Sequence, residues 1–155
     1  MVHIGAVATV TWLVTGGAGY IGAHVVRALL DAGHHVAVID DLSSGHADFV
    51  PAGVPFVHGS ITDPSSLAAA LSAPDGPVSG VVHLAGFKYA GVSVDRPAHT
   101  YEQNVVGTLR LLEAMTLAGV GRLVFSSSAA VYGTPDVDMV TEDTPTAPES
   151  PAAGC

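Results

Sequence analysis

The sequence predicts an α/β fold, a doubly wound parallel sheet, and two observations predict it. Short apolar, β-branched runs alternate with segments of helical period along most of the chain, as they do where parallel strands are joined by helical crossovers. The composition agrees. Hydrophobic residues make up 48% and charged residues 12%, as expected when both faces of a strand are covered. A chain of 155 residues suits one domain, which at this size buries about 70% of the surface its unfolded chain exposes.

The first strand, near 11–15 (Trp12, Leu13, Val14), runs into Thr15–Gly22, TGGAGYIG; Ile21, Val25, Val26, Leu29 and Leu30 then recur at helical spacing over 20–32. Glycines in this pattern let the turn be tight (Gly16), let backbone approach a pyrophosphate (Gly19) and let the helix pack close on the strand (Gly22). Amides opening that helix favour an anion. Gly33 stops the helix, and a strand over 36–40 closes on Asp40-Asp41. A carboxylate about 20 residues beyond such glycines is where an NAD site binds the ribose hydroxyls. A loop over 45–55 leads to a strand at 54–58. Asp63 caps and Pro64 opens a helix over 64–72. A turn across Pro74–Pro77 precedes a strand at 81–84. A helix over 98–118 stops at Gly119, with Leu109, Leu111, Leu112 and Met115 as its core stripe. The last strand spans 122–127. From Thr134 to Cys155, Pro135, Pro145, Pro148 and Pro151 break any period, and no long element is expected.

Ligands of this fold sit at the carboxyl ends of the strands. Four such ends carry small or polar residues: Thr15–Gly22, Asp40-Asp41, His83–Lys88 and Phe125–Ser128. Their convergence makes one crevice the expected site. The remaining composition excludes several other classes. Five basic against fourteen acidic residues leave a formal charge of −9, which argues against nucleic acid or an anionic membrane as partner. The single cysteine, Cys155, excludes an intrachain disulfide and suits a cytoplasmic setting. Residues 1–10 are apolar without Lys or Arg. They read as a short extension, not a secretory signal, and the apolar run is too short to span a bilayer. No metal site is expected. His34 and His35 are adjacent, while His24, His58, His83 and His99 fall on separate elements without ligand spacing. Tyr132 reads as a packing residue.

TGGAGYIG, DDLSSG at 40–45, HLAGFKYAGVSVDRP at 83–97, NVVGTLRLLEAM from Asn104, and FSSSAAVYG at 125–133 together resemble the UDP-glucose 4-epimerase family of extended short-chain dehydrogenase/reductases. The likeness runs from about residue 11 to 151. It implies a Rossmann-type NAD-binding fold and NAD-dependent interconversion of UDP-glucose and UDP-galactose through a 4-keto sugar. It also implies a homodimer formed through helices of this domain, with 98–118 as the candidate surface. By position, Gly16, Gly19, Tyr20, Ile21 and Gly22 would meet the pyrophosphate and Asp40 the adenosine ribose, with Asp41, Ser43 and Ser44 beside it. Ile61 would line the adenine pocket. Ala85, Gly86, Lys88, Gln103 and Ser126 would lie along the cofactor, and Ser128 would hydrogen-bond the sugar hydroxyl as the catalytic residue present. Asp40 disfavours a 2′-phosphate by like charge, so NAD is expected over NADP.

The chain departs from the family pattern in three places. Ser60 stands where an Asp is usual, and Gln103 where an Asn is usual. The family's Tyr-x-x-x-Lys is expected just beyond Pro151, yet Tyr20, Tyr89, Tyr101 and Tyr132 have no Lys four places on; Lys88 is the one lysine. The expectation is therefore an NAD-binding domain over 11–155, incomplete at its C-terminal end, without a substrate domain and inactive as it stands. Other readings are a different NAD-dependent sugar-nucleotide epimerase or dehydratase, or a non-catalytic NAD-binding module.

Overall fold

A computed structural model describes residues 9–72, 74 and 76–155. The expected N-terminal extension therefore lies almost wholly outside the described residues, as do two positions beside the expected 74–77 turn. Five parallel strands form one sheet: β1 (Thr11–Thr15), β2 (His35–Asp40), β3 (Phe56–His58), β4 (Val78–His83) and β5 (Leu123–Phe125), ordered β3-β2-β1-β4-β5. The order reverses beside β1, so a crevice opens at its carboxyl end.

Alternation along the strands builds two cores. Leu13, Ala37, Ile39 and Val81 face α2 (Pro64–Leu71) and α5 (Gly107–Leu117), packing with Leu67, Leu71, Leu111 and Met115. Val14, Val36, Val38 and Val82 face α1 (Tyr20–Asp31), packing with Val26, Val25 and Leu29. Burying each of the fully buried leucine, isoleucine and valine side chains contributes about 1.5–3 kcal/mol. Helices on both faces make the sheet doubly wound, as the apolar runs predict.

Local chemistry sets the ends of these elements. Asp63 accepts from the amides of Ser65 and Ser66 and caps α2. Its hydrogen bonds to the Ser66 and Ser65 hydroxyls lead in lowering its carboxyl to about 2. α1 and α5 end before Gly33 and Gly119, both at positive φ, where glycine stops a helix without steric cost.

Several expectations need correction. β3 starts at Phe56, because Pro55 has no amide for the ladder and offers its carbonyl to Val38 N instead. β4 starts earlier, at Val78, with Gly80 lying against the Trp12 ring. β5 is only three residues long. The expected helix over 98–118 is α4 (Pro97–Tyr101), a π-helical segment over Glu102–Val106, and α5, preceded by an unexpected α3 (Ala90–Asp95). Of the expected stripe only Leu111 and Met115 enter the core, with Ala114 packed against it. Leu109 and Leu112 are 54% and 40% exposed. The proline-rich tail holds no long element, in agreement with the sequence: a 3-10 turn (Ala129–Tyr132) precedes it, and it ends in the four-residue α6 (Pro151–Gly154), whose Ala152 amide donates to Ser93 Oγ on α3.

Candidate functional site

The crevice is built first by the turn between β1 and α1. Gly16 has φ +71°, and its amide donates to Ile39 O at 2.8 Å. A Cβ there would stand 2.8 Å from Ala85 N, so only glycine lets the turn pass under the β4 loop. Gly22 lies against Gly16 O, and any Cβ would collide with that carbonyl. Gly19 N donates to Gly16 O at 3.1 Å and opens α1. The Tyr20 and Ile21 amides of the first turn have no intrahelical carbonyl to meet and point out of the helix end.

Asp40, at the end of β2, is 8% exposed and accepts from Ala18 N at 3.0 Å and from Leu42 N at 2.8 Å. It thereby ties the glycine turn to the neighbouring strand. Leu42 has φ +58°, a left-handed conformation that costs a branched residue about 1 kcal/mol or more. The bond from its amide to Asp40 holds that turn, a role short carboxylates suit. Asp41 accepts from Ser43 N at 2.9 Å.

The opposite wall follows β4. The Asn104 side chain pairs with both backbone groups of Phe87: Phe87 N donates to Oδ1 at 2.6 Å, and Nδ2 donates to Phe87 O at 3.0 Å. The Phe87 ring meets Tyr89 and His99 edge-on. Beneath, His83 is buried between Thr15 and Thr108 (2.7 and 3.0 Å) and against the Phe125 ring. Burial lowers its pKa to about 4, so the ring is neutral at physiological pH.

These walls enclose a cleft of about 410 Å³, within the size range of small-molecule sites. It brings together every residue expected along the cofactor: Gly16, Gly19, Tyr20, Ile21 and Gly22; Asp40, Asp41, Ser43 and Ser44; Ile61; Ala85, Gly86 and Lys88; Gln103 and Ser126. Ser128 is not among the lining residues; it caps the turn at Ala129–Tyr132, accepting from Ala130 N at 3.1 Å. Ser60, noted as a departure, lines the cleft and bonds Thr62. Residues the sequence reading missed include Leu84, Phe87, Tyr89 and His99. An aromatic cluster (Phe87, Tyr89) directly after a strand end was the available signal. A second depression of about 280 Å³, between α2 and α5, holds none of the expected residues. Among the described residues no group of His, Cys, Asp and Glu is arranged to hold a metal ion, and no helix is long and apolar enough to cross a membrane.

A glycine-turn helix start and an acidic strand end on one parallel-sheet crevice define the dinucleotide-binding class of α/β proteins. The chain belongs to the NAD dependent epimerase/dehydratase family, whose model matches residues 12–153. It is 46% identical over 136 residues to the UDP-glucose 4-epimerase of Corynebacterium glutamicum, covering 88% of this chain and 40% of that one. It is likewise 46% identical to the UDP-glucose 4-epimerase of Streptomyces lividans, covering 90% and 42%. The fold superposes on Thermus thermophilus UDP-glucose 4-epimerase in complex with NAD with a TM-score of 0.85 and 40% identity, over 93% of this chain and 46% of that one. The Thermotoga maritima UDP-glucose 4-epimerase with UDP-glucose gives 0.84 and 36%, over 93% and 47%. The chain thus spans less than half the length of these relatives.

Proposed function

We propose that this chain is the NAD-binding portion of a UDP-glucose 4-epimerase. One observation carries the reading: the Asp40 carboxylate and the first-turn amides of α1 face the same cleft. The cleft fits NAD chemically. Glycine backbone and helix-start amides suit a pyrophosphate, and Asp40 keeps lone pairs for ribose hydroxyls while repelling a 2′-phosphate. NAD held by these residues would supply reversible hydride exchange with the sugar C4.

Each residue then has a definable task. Gly16, Gly19, Tyr20, Ile21 and Gly22 seat the pyrophosphate. Asp40 orients the adenosine ribose, flanked by Asp41, Ser43 and Ser44, and Ile61 packs on adenine. Ala85, Gly86, Lys88, Gln103 and Ser126 line the path of the cofactor; Ser128 lies outside the cleft lining, and its hydroxyl would meet the sugar only by turning from the Ala129–Tyr132 turn it caps. The 155 residues contain no tyrosine followed four places later by lysine. A positioned acid–base group contributes about 10²–10⁴ in rate, roughly 3–5 kcal/mol. Turnover therefore requires groups this chain does not contain, and these residues alone do not epimerise. Tyr101, Val105, Leu109 and Leu112 form an exposed apolar stripe over α4–α5; it is the face through which we propose a homodimer. The setting we propose is cytoplasmic, where NAD and UDP-sugars are available.

Calorimetric titration with NAD tests the reading. Saturable binding is expected, with Asp40→Ala weakening it by about tenfold or more as the ribose contact is lost. Well-folded protein that gives no heat with NAD would remove the proposal.

A further inference from the structure

We infer that His83, Thr108 and Asn104 form a one-directional chain of hydrogen bonds that positions the Phe87–Lys88 wall of the cleft, which makes Thr108 and Asn104 positioning residues for the dinucleotide. The ligand in this statement rests on the NAD reading above; the chain of bonds does not.

Its direction follows from counting protons. The Thr108 hydroxyl has one proton, and it donates it to Asn104 O at 2.5 Å, a carbonyl that can only accept. Thr108 Oγ1 therefore accepts at its 3.0 Å contact with His83 Nε2, which carries the proton of the neutral ring. His83 Nδ1 is then an acceptor, and Thr15 Oγ1 donates to it at 2.7 Å while accepting from Ala85 N at 3.2 Å and sharing Leu84 N with its own carbonyl (3.2 and 3.1 Å). Every donor and acceptor agrees with its neighbour. Desolvation of the ring keeps it uncharged and the direction fixed.

Asn104 lies in the π-helical segment Glu102–Val106. π-turns recur at functional sites. The Thr108 hydroxyl donates back to the Asn104 carbonyl four residues earlier. The Asn104 side chain meanwhile grips Phe87 N and O as a strand would. Gly86 lies so close that a Cβ would be 3.2 Å from Asn104 Oδ1. Gly86 and Lys88 flank the gripped residue, and all three line the cleft. A buried ring beneath the sheet end is thereby linked through two side chains to the wall a cofactor would touch.

The test compares Thr108→Val, which removes the hydroxyl at nearly constant shape, with Thr108→Ser, which retains it, in the full 155-residue chain. Amide exchange and histidine ring nitrogen spectra are read by NMR without ligand, and NAD affinity is then titrated. Thr108→Val should speed exchange of the Phe87 amide, and weaken NAD binding, by about tenfold, leaving the Leu13 and Val38 amides unchanged. Thr108→Ser should restore both within about twofold. Unchanged Phe87 exchange in Thr108→Val, or no rescue by serine, overturns the inference. Should the valine variant fail to fold, the unmodified chain still decides. A His83 proton on Nε2 supports the relay, and one on Nδ1, or a cationic ring at neutral pH, refutes it. If NAD does not bind the unmodified chain, the functional reading falls, while the exchange and ring spectra still judge the relay.

Discussion

β1 and β5 belong to one sheet and share one neighbour, β4, yet they are opposite environments. Leu13 and Val14 of β1 are fully buried, one under α2 and α5 and the other under α1. Leu123, Val124 and Phe125 of β5 are 37%, 54% and 51% exposed. Both strands are apolar in sequence. Covering helices and a second strand neighbour make the difference: β1 has both, and β5 pairs only with β4 among the described residues. The complete half carries the glycine turn, Asp40 and His83. The open half carries apolar surface of the kind that promotes association.

The sharpest way to break the contrast is to remove matched side chains. Leu13→Ala should cost about 3–5 kcal/mol in urea unfolding, because the cavity left in a fully packed layer cannot collapse. Acid should act on the same half. His83 is held near pKa 4 in the fold against 6.5 unfolded. The unfolded chain then binds more protons between these values, so stability is complete above about pH 6.5 and falls as pH drops toward 4. This amounts to on the order of 3 kcal/mol. Unfolding free energies measured across pH 4–7 should show that slope, and His83→Gln should flatten it. At the other end of the scale, Val124→Ser should change stability by less than about 0.5 kcal/mol. It should reduce self-association in sedimentation velocity, whereas a fall in stability matching that of Leu13→Ala would erase the distinction between the two strands.

The complete half was legible because its signals are local. TGGAGYIG, the acidic end of β2 and the Asp63-Pro64 cap each state their geometry within a few residues. The rest depends on distant neighbours. AGVSVD at 90–95 combines glycine with β-branched residues of poor helix propensity, yet it forms α3, against which α6 packs. From the π-helical segment Asn104 reaches Phe87, seventeen residues away, a contact no periodicity reveals. Leu109 and Leu112 fit the same helical stripe as Leu111 and Met115. Spacing alone cannot say which of two apolar faces a sheet will cover.

An NMR titration of the labelled chain with NAD tests the central claim most directly. Amide shifts should concentrate at Gly16–Gly22, Asp40–Ser44 and Ala85–Lys88, with Gln103 and Ser126, leaving the α2–α5 depression unmoved. Shifts confined to β5 or to that depression, or none at all, would contradict it.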